Sequence, residues 1–199
     1  MRSANLRRMD TQVLAAIARW PNVPAVFGWL SLSARGDWRI RGAPIANAAF
    51  REFIGRNYAS DERGRWFFQN GPQRVYVSLE CAPWVFRVQA DGSLLTHAGA
   101  RPTRLAAAAL VDGATFVLQT DLGAGNIDDR DAALFLAALA EDNGGPLSEA
   151  ELEAVLQGER SATVVPARCA VIDPAVALCR LSCREVPAAF GFEPSPQPD

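Results

Sequence analysis

Three glycines, Gly36, Gly64 and Gly92, stand 28 residues apart, and each opens a phrase of the same form. The phrases are Gly36-Asp37-Trp38 running to Gly42-Ala43-Pro44, Gly64-Arg65-Trp66 running to Gly71-Pro72, and Gly92-Ser93-Leu94 running to Gly99-Ala100-Arg101-Pro102. Similarity at a fixed period of this size marks a repeated supersecondary unit. Glycine takes the positive backbone dihedrals that tight turns require, and proline cannot donate to a strand ladder. Each phrase therefore reads as a turn, a strand of about five residues and a second turn, a β-arch or hairpin. Trp38 and Trp66 occupy the same place in their copies and are expected to point into one shared interior.

The intervening stretches alternate between the two periods of regular structure. Val13, Leu14 and Ile17 sit at helical spacing behind Asp10 as N-cap, and Pro21 ends that helix. Val26–Leu32 alternates as a strand, with Phe27, Trp29 and Ser31 on one face and Leu30 and Leu32 on the other. Residues 46–58 are helical, because Ala49, Phe50, Phe53, Ile54 and Tyr58 recur at three and four. Val75, Val77 and Leu79 share one face of a strand, and Asp91-Gly92 joins Trp84–Val88 to Leu94–Thr96 as a hairpin. Further on, residues 104–110 read as a short helix or an irregular apolar bridge, 115–120 as a strand, and 129–142 as a helix. A capping box at Ser148 opens another helix ending near Gly158. Residues 162–172 look extended, and 175–182 fit helix or strand equally. Val23–Trp29 and Val186–Phe192 share five of seven residues, which suggests a repeated turn-into-strand motif.

The fold expected is α+β, with repeated helix-plus-antiparallel-strand units forming small mixed sheets packed with short helices. The expected division is an N-terminal repeat domain at 1–90, a second α+β domain at 91–194 and a flexible tail at 195–199.

Composition narrows the chemistry. All twenty strongly basic residues are arginine. A Schiff-base lysine, a phosphate-loop lysine and a kinase-type lysine are therefore excluded. The single histidine, His97, excludes a His-rich metal site. A net charge of -2 gives no field that would draw in nucleic acid. The four cysteines form no C-x-x-C pair and read as reduced thiols, which together with the absence of any long apolar run points to the cytoplasm, with no membrane contact. The basic N-terminus before Val13–Ile17 is interrupted by Arg19 and reads as an amphipathic helix, not a leader.

Two segments carry candidate sites. Arg63, Arg65, Arg74 and Arg87 interleave with Trp66, Phe68 and Trp84. Arginine grips a carboxylate or phosphate through two parallel hydrogen bonds, and the aromatic rings can stack on a ligand. These seven residues are the expected binding set for a small anionic or aromatic ligand; the same pattern also fits the wet face of a sheet. The second segment, Asp121–Asp131, holds four carboxylates and the pair Gly123 and Gly125. Hard oxygen ligands suit a divalent metal, and glycines admit a ligand close to the backbone. Helix capping by Asp128 in a solvated loop accounts for the same residues. No metal, cofactor or catalytic residue is assigned.

Gly36-Asp37-Trp38, Gly42-Ala43-Pro44, the helix from Asn47 to Tyr58, Trp66–Phe68 and Cys81-Ala82-Pro83-Trp84-Val85 together resemble the DUF1285-like two-domain proteins of unknown function, over residues 28–120. The chain also resembles an uncharacterised proteobacterial family of about this length. The resemblance implies repeated helix-plus-strand units and a ligand-binding or signalling role, and it transfers no catalytic residue. Three functions stay open: a soluble small-molecule-binding or regulatory protein without catalysis, a carboxylate- or Mg-dependent hydrolytic enzyme, and a homodimeric interaction scaffold.

Overall fold

A computed structural model of the chain describes residues 9–20, 22–141, 144–165 and 175–198. Two compact units emerge, Met1–Pro83 joined by Gly191–Asp199, and Trp84–Phe190. Both are mixed α+β, with short helices on β-sheets and a hairpin turn used repeatedly. Among the described residues no helix is long and apolar enough to cross a membrane.

The recurring glycine phrase is a recurring hydrogen-bond pattern. In each copy the residue three before the glycine donates its N–H to the carbonyl of the residue just after it: Ser33 to Asp37 at 3.0 Å, Asp61 to Arg65 at 2.9 Å, Gln89 to Ser93 at 2.8 Å. The glycine N–H returns the bond to the first residue at 3.0, 3.1 and 2.9 Å. Gly36, Gly64 and Gly92 have φ of 86°, 74° and 81°, the left-handed conformation that such three-residue hairpin loops need at that position. The second turns of the phrases differ. Arg41 and Gly42 (φ 50° and 83°) form a two-residue mirror-type turn, whereas Gly99 repeats the first geometry, with Thr96 N–H on the Ala100 carbonyl at 2.8 Å.

In the first unit, α1 (Thr11–Arg19), β1 (Val26–Leu32), β2 (Trp38–Ile40), β3 (Ala43–Pro44), α2 (Ala48–Arg56), β4 (Tyr58–Ser60), β5 (Trp66–Asn70) and β6 (Gln73–Leu79) follow one another. The strands form one sheet in the order β3-β2-β1-β6-β5-β4, antiparallel except for β1 beside β6. Strand alternation sorts the aromatic run of β5. Phe67 stands opposite Tyr76 and Ala59 in register, and these three meet Val13 of α1 and Met9 just before it. Trp66 and Phe68 face the other way. There Tyr58 packs edge-on to Trp38 at 5.0 Å and against Trp66 at 4.8 Å. Trp38 and Trp66 are 2% and 4% exposed, so the shared interior expected for the two tryptophans exists and Tyr58 is its centre.

Asp10 is the N-cap of α1, but its carboxylate makes no cap bond; it accepts instead from Arg56 and Asn57 at the end of α2. Asn47 caps α2 by accepting from the Phe50 N–H at 3.0 Å. The C-terminal segment belongs to this unit: Glu193 N–H bonds the Gly64 carbonyl and Leu79 N–H bonds the Pro194 carbonyl.

The second unit carries β7 (Trp84–Val88), β8 (Leu94–Thr96), β9 (Leu105–Val111), β10 (Thr115–Thr120), β11 (Gly123–Ile127), the one-turn helix α3 (Ala132–Phe135), β12 (Leu139–Ala140), α4 (Glu149–Gln157), β13 (Thr163–Val164), β14 (Val176–Leu181) and α5 (Val186–Phe190). Its sheet runs β12-β13-β14-β9-β10-β11-β7-β8. The Ala-rich 104–110 stretch is a strand because β10 and β14 pair on both of its sides. The helix expected over 129–142 breaks into 3-10 turns around α3 and ends at β12; residue 142 lies outside the described residues. Ser148 and Glu151 form the capping box of α4, and Gly158 closes it at φ 84°. Of the extended stretch 162–172, residues 163–164 are β13 and 166–172 lie outside the described residues. Val186–Phe190, the echo of the β1 entry, is helical, so that likeness is one of composition and not of conformation.

Trp84–Val88, grouped by sequence with the first domain, pairs with β8 and β11 of the second unit. Gly125 stands beside Trp84 in register, and a Cβ there would meet the Phe86 ring at 2.4 Å and Trp84 Cβ at 2.8 Å. The glycine admits two aromatic side chains against β11, not a ligand. Gly28, in contrast, has φ 73° but faces open space. Gly125→Ala should cost about 3 kcal/mol through overpacking. Gly28→Ala should cost about 1 kcal/mol from its left-handed backbone alone. Midpoints of denaturant unfolding check the order; equal losses would contradict it.

Candidate functional site

The residues of the expected binding set fall on two faces of the first unit's sheet and in the second unit. Trp66 and Phe68 lie on the face covered by α2. Arg65 lies over the Tyr76 ring at 4.9 Å and Arg74 over Phe67 at 4.6 Å, on the face that meets α1. Arg65 is also held by Asp61, Nε to Oδ2 at 2.7 Å. Burial pushes the Asp61 carboxyl up, but hydrogen bonds from Arg65, Tyr76 and the Arg63 N–H outweigh it and leave the pKa below the ordinary value. Arg63 is exposed in the turn that Asp61 organises.

Trp84 and Arg87 belong to the second unit and are built in there. The Trp84 indole donates to the Leu122 carbonyl at 2.8 Å. Arg87 binds Asp131 at 2.6 Å, and Asp131 also accepts from the Val88 N–H at 3.0 Å. The Arg87 hydrogen bond is the main reason the Asp131 carboxyl is held below its usual range. Asp128, fully buried, caps the turn by accepting from the Arg130 N–H at 3.0 Å, and its carboxylate binds the Arg130 side chain at 2.8 Å. Asp121 accepts from the N–H groups of Thr103 and Arg104. The Asp121–Asp131 segment is thus a strand flanked by caps. Among the described residues no group of three His, Cys, Asp or Glu is placed to hold a metal ion.

His97 follows β8. Its N–H donates to the Val85 carbonyl at 2.8 Å, and Nδ1 accepts from the Val85 N–H at 3.3 Å. The ring lies 5.5 Å from Trp84, and burial lowers its pKa to about 3. It is a neutral, structural histidine.

A groove lies elsewhere in the first unit, between α2 and the sheet. A nine-residue helix is only about 14 Å long. The six-stranded sheet curls, since Trp38 of β2 meets Tyr58 of β4 although three strands stand between them. Phe50 and Phe53 seat α2 edge-on against Phe68, at 6.1 and 5.4 Å, which leaves the β1–β2 side of that face less covered. The result is a groove of about 330 Å³ whose apolar floor includes Leu30, Ile54, Phe68 and Val75, with the more exposed Ile40 also lining it. Asn70 and Gln73 supply amides at its edge, and none of the ten lining residues carries a charge.

Trp29 lines the same groove and is 50% exposed. Strict alternation would set Trp29 with Phe27, but Phe27 stacks on Tyr76 at 4.5 Å on the α1 side. The break is at Gly28. Its φ of 73° and the shift in β1–β6 register between Val26 and Leu30 insert a bulge that turns Trp29 to the groove. The Arg41 N–H donates to the Trp29 carbonyl at 2.8 Å, and the Arg41 guanidinium lies 3.8 Å from the Trp29 ring centroid. Of the seven residues picked from sequence, Phe68 alone lines the groove. Phe50 and Ile54 were legible as a helix stripe but not as a wall; the signal for Trp29 is the glycine before it.

Comparison with known proteins gives family and likeness. A model of the DUF2944 family, described as "Protein of unknown function (DUF2946)", matches residues 9–197. A crystal structure of a DUF1285 family protein from Silicibacter pomeroyi DSS-3 is similar at 20% identity and a TM-score of 0.46, over 71% of this chain and 88% of that one. Another, of a DUF1285 family protein from Shewanella baltica OS155, is similar at 19% identity and a TM-score of 0.42, over 54% of this chain and 89% of that one. Both bear the family name suggested by the motifs of residues 28–120. No curated protein matches.

The lowered pKa of His97 gives stability a definite pH dependence. The unfolded chain takes up a proton near pH 6.5, whereas the folded chain does not until about pH 3. Stability is therefore intact above pH 6.5 and falls through that window, by up to about 1.4 kcal/mol per pH unit. The acids with lowered pKa act only below their own ordinary values and do not mask the range from pH 6 to 5. In His97→Asn the amide oxygen can replace Nδ1 as acceptor, and urea titrations from pH 6 to 5 should show the slope flattened. An unchanged slope would remove His97 as its source.

Proposed function

We propose that this chain, which belongs to the DUF2944 family of proteins of unknown function, is a small-molecule-binding protein that uses the groove between α2 and its sheet and performs no catalysis there. The observation carrying this reading is the groove itself: about 330 Å³, apolar on its floor, with two amides at the edge. Ligand sites are concave, mostly apolar and provided with a few polar groups that set orientation, in volumes from roughly 300 to 1,000 Å³. The lining has no nucleophile, acid or base, which favours binding over hydrolysis. The exposed Trp29 and Ile40 at its mouth are apolar surface that an occupant would cover.

Octan-1-ol serves as a minimal probe. At a hundredfold excess over its Kd, a ligand that binds only the folded state stabilises it by about 2.7 kcal/mol, read as a rise in melting temperature. Ile40 is 38% exposed, so Ile40→Trp fills the mouth without opening the core. The expected result is a concentration-dependent rise for the natural protein that Ile40→Trp abolishes. No rise, or an equal rise in both proteins, would contradict the proposal.

A further inference from the structure

We infer that the groove selects an amphiphilic carboxylate, an apolar body carrying one carboxylate head, and that Arg41 reads the head. This rests on the groove being a ligand site and adds the class of ligand. Arg41 is the cation stacked on a ring that lines the groove, 3.8 Å from the centroid of Trp29. Stacking occupies the face of the guanidinium and leaves its N–H edge for a carboxylate, which it can bind through two parallel hydrogen bonds. Among the described residues no acid is paired with Arg41. The nearby arginines are differently placed: Arg39 pairs with Glu80, and Arg51 donates to the carbonyls of Ile45 and Ala46.

The backbone supports the same assignment. Arg41 has φ 50°, a conformation that is uncommon outside glycine, asparagine and aspartate. Together with Gly42 it makes the β2–β3 turn, and its N–H is bonded to the Trp29 carbonyl. The turn that places the cation and the bulge that turns the indole are thus joined by one hydrogen bond at the mouth. Inside, the walls are apolar and uncharged, suited to the tail.

The test compares octanoate with octan-1-ol by titration calorimetry on the natural chain, Arg41→Asn and Arg41→Lys. Asparagine tolerates the left-handed backbone, so the first variant removes the charge with little strain. Octanoate is expected to bind about tenfold tighter than octan-1-ol. Arg41→Asn should erase that preference, so that octanoate and octan-1-ol bind it alike, and Arg41→Lys should restore only part of it. If octan-1-ol binds and octanoate binds no better, or if Arg41→Asn keeps the preference, the carboxylate assignment is overturned and the groove reading survives. If neither probe binds, the groove reading fails and this inference falls with it. Octyl phosphate binding tighter than octanoate would replace carboxylate by phosphate as the head and overturn the assignment.

Discussion

The packing of Trp38 and Trp66 against Tyr58 is the contact on which the first unit depends. Each tryptophan follows a hairpin loop of the same hydrogen-bond pattern, so each leaves its turn toward the same side of the sheet. Three large side chains, each no more than 4% exposed, then tie β2, β4 and β5 to one interior. Aromatic burial of this size dominates the energetics of a small core, and the edge-on geometry of Trp38 against Tyr58 adds about 1 kcal/mol beyond area. With that interior set, α2 can seat only where Phe68 meets Phe50 and Phe53. The groove lies on the same sheet face, lined by Phe50 and Ile54 of α2 and by β1, β2, β5 and β6.

What sequence made legible follows from the range of the interactions involved. The hairpin loops, the α2 stripe and the Ser148 capping box are local, and their residues announce them. The strand at Leu105–Val111 is not local. Its alanines acquire strand conformation from β10 and β14, which lie beyond its own sequence. Val186–Phe190 makes the complementary point: of the residues it shares with the β1 entry, Phe190 is helical where Phe27 is in a strand, and Phe27 lies in a strand that has β6 and β2 to pair with. Interleaving along the chain does not bring the arginine–aromatic set together: alternation in β5 and pairing in β5–β6 place Arg65 and Arg74 on the side of Phe67 and Tyr76, away from Trp66 and Phe68.

The candidate site was mostly hidden for a related reason. Its walls come from β1, β2, α2, β5 and β6, and nothing in the chain order brings these together. One glycine, Gly28, decides whether Trp29 joins the α1 face or the groove. Its neighbour across the sheet, Arg41, is notable only once its left-handed backbone and its stacking distance are seen. By the same logic the acid-rich Asp121–Asp131 segment lost its functional appeal: the carboxylates of Asp121, Asp128 and Asp131 bind backbone N–H groups or an arginine, and Gly125 makes room for Phe86 and Trp84.

The central claim is that the uncovered part of the α2-side face receives the apolar body of a ligand. Methyl-resolved NMR during an octan-1-ol titration tests it most directly. Shift changes confined to Val26, Leu30, Ile40, Ile54 and Val75, saturating together, are the expected result. Changes centred on Val13 and Ile17 of α1, or spread evenly over methyls of both units, would contradict it.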